Sequence, residues 1–196
     1  ISRKENISNR IYGSLLIDEW APYTTFDKKN RNWFVYQLGY SRNGKLFNKD
    51  ILFKAEYTRV DPRAYNHRFK INEPKHYGYN LGYWSGNHSD DLNLNLFMLI
   101  NNNRFFKVEY EYTRFSNNTL EEIMSNLESQ YNDNYEDIDF LDGGYNYRGK
   151  LSVLFSTSLK YHFFFDFELS SFNTKGLYSS DDFYDITLKL KYNISK

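Results

Sequence analysis

The chain has 196 residues, a length that fits one domain, and its 25 basic residues balance its 25 acidic ones. This balance excludes the strongly positive surface of a nucleic-acid-binding protein, and the absence of Cys excludes disulfides and thiolate chemistry. The mean hydropathy of −0.75 is low, and no stretch approaches the roughly 20 apolar residues of a membrane-spanning helix.

Apolar and polar residues alternate along eight segments, and this period of two is typical of β-strands with one polar face. In the third segment, for example, Phe53 and Tyr57 alternate with Lys54 and Glu56. We predict turns at Asn43-Gly44 and at residues 101–103, because Asn and Gly accept positive φ, and a tight connection near Thr157 and Ser158. The predicted strands cover residues 10–20, 33–41, 51–60, 92–100, 106–113, 150–156, 160–170 and 184–192.

Two long polar stretches interrupt the alternation, at residues 61–91 and 116–145. In the second, Thr119 and Glu122 form a capping-box pattern, and apolar residues follow at helical spacing as far as Tyr131. We therefore predict a short amphipathic helix there, followed by an acidic segment over residues 133–142. A solvated acidic loop is its expected state, although several carboxylates could also hold Ca²⁺.

The strand pattern predicts an all-β fold, an antiparallel up-and-down transmembrane β-barrel of about eight strands or the C-terminal strands of a larger one. Apolar rows about five residues deep come close to the ~9–11-residue strands that cross a bilayer. Tyr and Phe recur at the ends of these rows, and the connections alternate between short and long, as in outer-membrane barrels. Residues 1–196 then belong to one barrel domain. The alternative is a soluble all-β domain whose apolar faces meet in a core.

Two carboxylate pairs are candidates for catalysis, Glu109 with Glu111 and Asp166 with Glu168. Two residues along a strand span about 6.5–7 Å, a separation that suits an inverting glycosidase. Lysines on the same faces favour a different interpretation, in which the charges compensate one another in a wet interior. The four His lack the pair spacing of a zinc site. We predict no enzyme activity, no metal and no cofactor.

The stretch 61–91 is rich in aromatic, amide and charged residues and poor in aliphatic ones. Flat rings can stack on sugars, and charged or amide side chains can meet hydroxyl and acidic groups. The loop could equally fold into a barrel interior and plug it. The predicted polysaccharide-binding residues are Arg63, Tyr65, His67, Arg68, Tyr83, Trp84 and Asp90.

This stretch also resembles the capsule-assembly (Wzi) family of bacterial outer-membrane proteins. The resemblance implies a lectin-like barrel that anchors capsular polysaccharide at the outer membrane without bond-making, with further barrel strands outside this chain. Alternatives are a porin or transporter with a lumen-folded loop, and a soluble all-β carbohydrate-binding or enzyme domain. The motifs that carry the resemblance are Glu56-Tyr57-Thr58, Pro62, Tyr65-Asn66-His67, His76-Tyr77-Gly78, Leu81-Gly82 and Gly86-Asn87-His88-Ser89-Asp90.

Overall fold

The computed structural model describes residues 7–24, 32–65, 75–76, 79–80, 82–117, 138–158, 163–175 and 182–192. Ten strands and one short 3-10 helix, Pro22–Thr24, lie in these ranges. The strands are β1 Ser8–Glu19, β2 Trp33–Leu46, β3 Lys49–Val60, β4 Lys75–His76, β5 Tyr79–Asn80, β6 Ser89–Asn101, β7 Arg104–Ser116, β8 Tyr145–Ser158, β9 Phe163–Lys175 and β10 Asp182–Tyr192.

Eight of the strands form one antiparallel sheet in the order β1-β2-β3-β6-β7-β8-β9-β10, and β4 pairs with β5 separately. Each strand of the large sheet pairs with its neighbours along the chain, so the predicted all-β, up-and-down arrangement is confirmed. Among the described residues no pairing joins β1 to β10, and the sheet is therefore open. Closure into a barrel stays a prediction, and the predicted helix between residues 119 and 131 lies outside the described residues.

The strands run further than the alternation predicted, and this moves two connections. The predicted turn at Asn43-Gly44 is wrong, because both residues pair with β3. The chain turns instead at Phe47 and Asn48, whose φ values of 50° and 60° match the two left-handed positions of a tight hairpin. Thr157 and Ser158 still belong to β8, so the connection predicted near them lies beyond Ser158. The predicted turn after Asn101 is confirmed.

The register brings the predicted apolar rows of neighbouring strands onto one side of the sheet. Leu38 pairs with Tyr57, Tyr57 with Leu92, and Leu92 with Tyr112. We call this side, which carries Ile11, Leu15, Leu38, Tyr57, Leu92, Leu94, Tyr110, Tyr112 and Leu151, the apolar face. The other side, which carries Tyr12, Gln37, Glu56, Thr58, Asp91, Glu111, Thr113 and Ser152, is the polar face.

Burial on the two faces is the reverse of that in a water-soluble sheet. Leu38 on the apolar face is 61% exposed, whereas Thr58 and Thr113 on the polar face are 2% and 0% exposed. Soluble sheets bury their apolar side against another layer, and the described residues supply no second layer here. The described apolar core is small, with Val35, Val60 and Ala64 at its centre.

The polar face is held by hydrogen bonds that cross several strands. The Tyr12 hydroxyl donates to Glu56 Oε1 at 2.9 Å, and its ring lies over Gly39 on the strand between them. A Cβ at position 39 would lie 2.2 Å from Tyr12 Cζ, so only Gly leaves room for this ring. Lys54 completes the group with an ion pair to Glu56 at 2.5 Å.

Candidate functional site

Residues 61–65 and 82–88, the described parts of the stretch that flank its middle, lie over the polar face at the end of the sheet where β3 stops and β6 starts. Tyr65 N–H donates to Asp18 Oδ2 of β1 at 3.3 Å, and the Tyr83 hydroxyl donates to Asp91 Oδ2 of β6 at 2.8 Å. Both rings pack against the small core around Val60. We call residues 61–65 and 82–88 the crossing loop.

Hydrogen bonds tie the two arms of the crossing loop together. Tyr83 N–H donates to the Tyr65 hydroxyl at 3.2 Å, and Asn87 Nδ2 donates to the Pro62 carbonyl at 2.8 Å. Gly86, at φ 76°, occupies the left-handed conformation that lets the chain reverse before β6. The loop therefore presents its aromatic residues in a defined arrangement.

Trp84 is the most exposed of the three crossing-loop aromatic residues Tyr65, Tyr83 and Trp84, with 52% of its surface accessible to solvent. Its ring meets Phe115 edge-on, with centroids 6.3 Å apart, and the Arg148 guanidinium carbon lies 5.0 Å from its centroid. Arg148 is itself held by Glu111 at 2.6 Å. These contacts orient the indole while leaving ring surface for a ligand, and flat apolar rings of this kind stack on sugar faces.

A groove of about 560 Å³ lies beside the crossing loop on the polar face. Its size fits one or two sugar rings, since binding clefts of about 300–1,000 Å³ take small organic ligands. A Cβ at Gly82 would lie 2.6 Å from the Tyr65 ring, so this Gly allows the ring to line the groove. The lining combines the aliphatic side chains of Leu15, Leu16 and Val35 with aromatic, hydroxyl, amide and carboxylate groups, among them Ser14, Asp18, Gln37, Thr58, Tyr65 and Tyr83.

The seven predicted binding residues fall into three groups. Tyr65, Tyr83 and Trp84 lie together, the first two half-buried at the groove and the third exposed. Arg63 and Asp90 are buried, at 1% and 3% exposure, so neither side chain is open to an extended glycan in this structure. His67 and Arg68 lie outside the described residues.

Asp90 links neighbouring strands on the apolar face, at the end of the sheet where the crossing loop begins and ends. It accepts hydrogen bonds from the Tyr57 hydroxyl at 3.0 Å and from Arg114 Nε at 2.9 Å, and Arg114 Nη2 bonds its second oxygen. The adjacent Asp91 points to the polar face and accepts from Thr113 Oγ1 at 2.7 Å. At the start of β6, two consecutive carboxylates therefore accept cross-strand hydrogen bonds, Asp90 on the apolar face and Asp91 on the polar face.

His88 links the crossing loop to the second long stretch and was not among the predicted site residues. Its Nε2 accepts a hydrogen bond from Leu141 N–H at 2.6 Å, and its ring lies 5.9 Å from that of Phe140. Burial lowers the pKa of His88, opposed by the Asp139 backbone and the Asp142 charge, with Arg59 lowering it further. The neutral imidazole is therefore favoured, and only this form can accept the hydrogen bond from Leu141 at Nε2.

Acidification should release this link. In the unfolded state His88 has the ordinary His pKa of about 6.5, and in the folded state its pKa is lower. As pH drops through this interval the unfolded state binds more protons, so the free energy of unfolding decreases. Protonated Nε2 can no longer accept from Leu141 N–H. We expect hydrogen-exchange protection of the Leu141 amide, corrected for intrinsic rates, to fall about tenfold between pH 7.5 and 5.5.

The control is His88→Gln, whose side-chain oxygen accepts a hydrogen bond but does not titrate. Its Leu141 protection should stay level across the same pH range. Equal pH dependence in the two proteins would mean that a group other than His88 controls this contact. Asp61 cannot be that group, because burial raises its pKa. A raised carboxyl pKa makes the folded state more stable as pH falls, which is opposite to the expected effect.

The carboxylates considered for catalysis are engaged in ion pairs where the structure describes them. Glu109 lies 2.7 Å from Lys107 Nζ, and Glu111 pairs with Arg148. The structure does not describe the side chains of Asp166 and Glu168. Within the described residues, no group of three or more His, Asp or Glu could hold a metal ion. The described part of the chain also has no helix long and apolar enough to cross a membrane.

Sequence reasoning missed the residues that hold the site from distant strands. Asp18, Phe115 and Arg148 contact the crossing loop only because the sheet register brings β1, β7 and β8 beneath it. No local motif marks them. Comparison with known proteins adds no relative: no family model matches the chain, and neither a curated protein nor a solved structure does.

Proposed function

We propose that this chain forms a transmembrane β-barrel, or the C-terminal strands of a larger one, in the bacterial outer membrane, and that its crossing loop binds surface polysaccharide. The observation that carries the proposal is the reversed burial of the two faces, with apolar side chains exposed and polar ones covered. Hydrocarbon is the solvent in which such an apolar face is stable. An aqueous interior suits the paired charges of the other face.

Strand length and aromatic placement support a membrane position. The main strands are 11 to 14 residues long, enough for the roughly 9–11 residues of a tilted membrane strand. Tyr36, Tyr57, Tyr112 and Tyr147 line the loop end of the apolar face, with the Tyr36 and Tyr57 rings 6.3 Å apart and the other two 5.7 Å apart. Outer-membrane barrels carry such aromatic girdles at the water interface.

The polysaccharide part of the proposal depends on the aromatic residues of the crossing loop. Trp84 offers an exposed ring, and Tyr65 and Tyr83 line a groove with hydroxyl, amide and carboxylate groups. The resemblance to the Wzi family adds capsular polysaccharide as the glycan, anchoring during capsule assembly as the role, and binding without bond cleavage. Lipid of the outer membrane is the second partner.

A porin or transporter is the second candidate, favoured by the crossing loop itself. Residues 61–65 and 82–88 lie across the polar face, where they would narrow an aqueous passage. Planar-bilayer conductance separates the two roles. An anchor should conduct little both before and after glycan addition, whereas a gated pore should open when residues 66–81 are shortened.

We expect Trp84→Ala to weaken polysaccharide binding about tenfold, a change of about 1.4 kcal/mol, because the substitution removes the exposed ring surface on which a sugar would stack. Binding can be measured by co-sedimentation of the detergent-solubilised chain with purified capsular polysaccharide. Trp20→Ala is the matched control, since Trp20 is 63% exposed and lies just after β1, outside the crossing loop.

The two variants should then differ clearly, with Trp20→Ala close to the wild type. Equal binding by wild type and Trp84→Ala would remove Trp84 from the glycan site. No binding by the wild type to any acidic or neutral capsular polysaccharide would overturn the polysaccharide role, while leaving the membrane assignment to the lipid experiment below.

A further inference from the structure

Three basic side chains lie on the apolar face near the turn end of the sheet, which is the end formed by the β2–β3 and β6–β7 hairpins. Arg42, Lys49 and Arg104 are all exposed. Lys49 begins β3 and Arg104 begins β7. Residues two apart on a strand share a face, so these two cations precede the apolar rows that continue with Ile51 and Phe106. They therefore lie at the edge of the apolar face.

The sheet register keeps these cations within reach of one another. Strand β6 separates Lys49 on β3 from Arg104 on β7, and the pairing of the three strands places both residues at the same level. Two strand spacings put them about 10 Å apart. Arg42 lies further from the turns, where it pairs with Asn9. Its long side chain can extend along the sheet, so that the charged group reaches towards the turn end.

The positive charges at the turn end have no counterion within the described residues. None of the three side chains makes an ion pair or a hydrogen bond with another described side chain. The one acidic residue within 42–53, 96–106 and 153–157 is Asp50. It lies on the polar face, where its register partner is Lys45. In the described part of the chain, the turn end of the apolar face therefore carries positive charge alone.

The opposite end of the same face is balanced in charge. There Arg59 Nε lies 3.3 Å from Asp61 Oδ1, and Arg114 forms an ion pair with the buried Asp90. The cations of the turn end thus lack the carboxylates that accompany those of the crossing-loop end. An external anion would supply the missing partner, since ionised oxygens form the stronger hydrogen bonds with guanidinium and ammonium groups.

We propose that the turn end of the apolar face binds the phosphate of an anionic phospholipid through Lys49 and Arg104, with Arg42 as a third contact. This inference rests on the membrane position in the proposed function and is independent of the polysaccharide role. The short turns of outer-membrane barrels face the periplasm, so the lipid belongs to the periplasmic leaflet.

The surroundings of these cations fit a lipid better than a free anion. On the side towards the middle of the sheet, Ile51 and Phe106 offer apolar surface to acyl chains while the charged groups meet the phosphate. In the adjoining turn, Leu46 and Phe47 are 41% and 87% exposed and add apolar contacts at the same level. An amphiphile with a negative headgroup matches both parts of this surface, whereas inorganic phosphate matches only the charged part.

The test is titration of the full chain in nonionic detergent with phosphatidylglycerol and, separately, with phosphatidylcholine of the same acyl chains, with native mass spectrometry to count bound lipids. Phosphatidylglycerol should bind at least about tenfold more tightly. Lys49→Gln and Arg104→Gln should each weaken phosphatidylglycerol binding about fivefold, the factor expected for one basic residue near an anionic membrane surface. Binding of phosphatidylcholine should not change.

Lys45→Gln is the matched control, because it removes the same charge at the same end of the sheet but on the polar face. Its affinity for phosphatidylglycerol should equal that of the wild type. A loss in Lys45→Gln as large as in Arg104→Gln overturns the inference, and so does unchanged affinity in both Lys49→Gln and Arg104→Gln. Glycerol phosphate that displaces phosphatidylglycerol at equal concentration overturns the lipid as ligand.

Failure of this inference is distinguishable from failure of the proposed function. A chain that inserts into bilayers and binds the two lipids equally overturns the inference alone. A chain that stays in solution without detergent and binds neither lipid overturns the membrane position, and the inference with it.

Discussion

Leu38→Arg should lower the free energy of unfolding from a phospholipid bilayer by about 2–4 kcal/mol, the cost of a lipid-facing Arg near the middle of a membrane barrel. Leu38 lies inside the apolar face, paired with Gly13 on one side and Tyr57 on the other. Its side chain is 61% exposed, so in lipid it contacts hydrocarbon. Guanidinium titration of the bilayer-inserted chain measures the difference.

Ser14→Arg provides the comparison, because Ser14 pairs with Gln37 at nearly the same depth but on the polar face. It should change the unfolding free energy much less. In a water-soluble domain an exposed Leu-to-Arg substitution stays within about 0.5 kcal/mol. If the two variants lose the same stability, the apolar face does not contact lipid, and the membrane proposal fails.

Asp90→Ala should destabilise the fold by about 1–3 kcal/mol, since it leaves the Tyr57 hydroxyl and the Arg114 guanidinium, which is one third exposed, without their shared buried acceptor. Asp90 is 3% exposed and accepts from both Tyr57 and Arg114. Equilibrium unfolding of Asp90→Ala, Arg114→Ala and the double variant gives the coupling energy between the two residues. The double variant should be less destabilised than the sum of the single ones.

Glu111→Ala is the control for Asp90→Ala. The Glu111 pair with Arg148 is partly exposed, with side-chain exposures of 23% and 41%, so its loss should cost about 1 kcal/mol or less. Asp90 was predicted from the sequence as a glycan contact. Strongly reduced glycan binding by Asp90→Ala with unchanged stability would restore that role and contradict the structural one.

The residues that share each face of the sheet could be predicted from the sequence, because successive side chains of a strand point to opposite faces. Once Leu38, Tyr57 and Leu92 each alternate with polar neighbours, an antiparallel register shifted by one residue would place polar side chains in the apolar rows. The β2–β3 turn was not predictable from its residues. Asn43-Gly44 has the more common turn sequence, but the ladder continues past it as far as Leu46 and Lys49. Long-range pairing overrides local turn preference here.

The candidate site was predictable only in its local part. Tyr65, Tyr83 and Trp84 stood out because aromatic residues cluster in a polar stretch. Their partners Asp18, Phe115 and Arg148 are separated from them by 31 or more positions along the chain, so their proximity depends on the folded sheet. Arg63 and Asp90 were predicted from their charge alone, and charge carries no information about whether the fold buries a side chain.

The pairing of each strand with its sequence neighbours also bears on how the protein reaches its native state. The β2–β3 and β6–β7 hairpins close through two residues each, at 47–48 and 102–103, so little chain entropy opposes their formation. Joining β3 to β6 instead requires closure of the loop of residues 61–88. Because a longer loop costs more closure entropy, we expect the two hairpins to form before β3 pairs with β6.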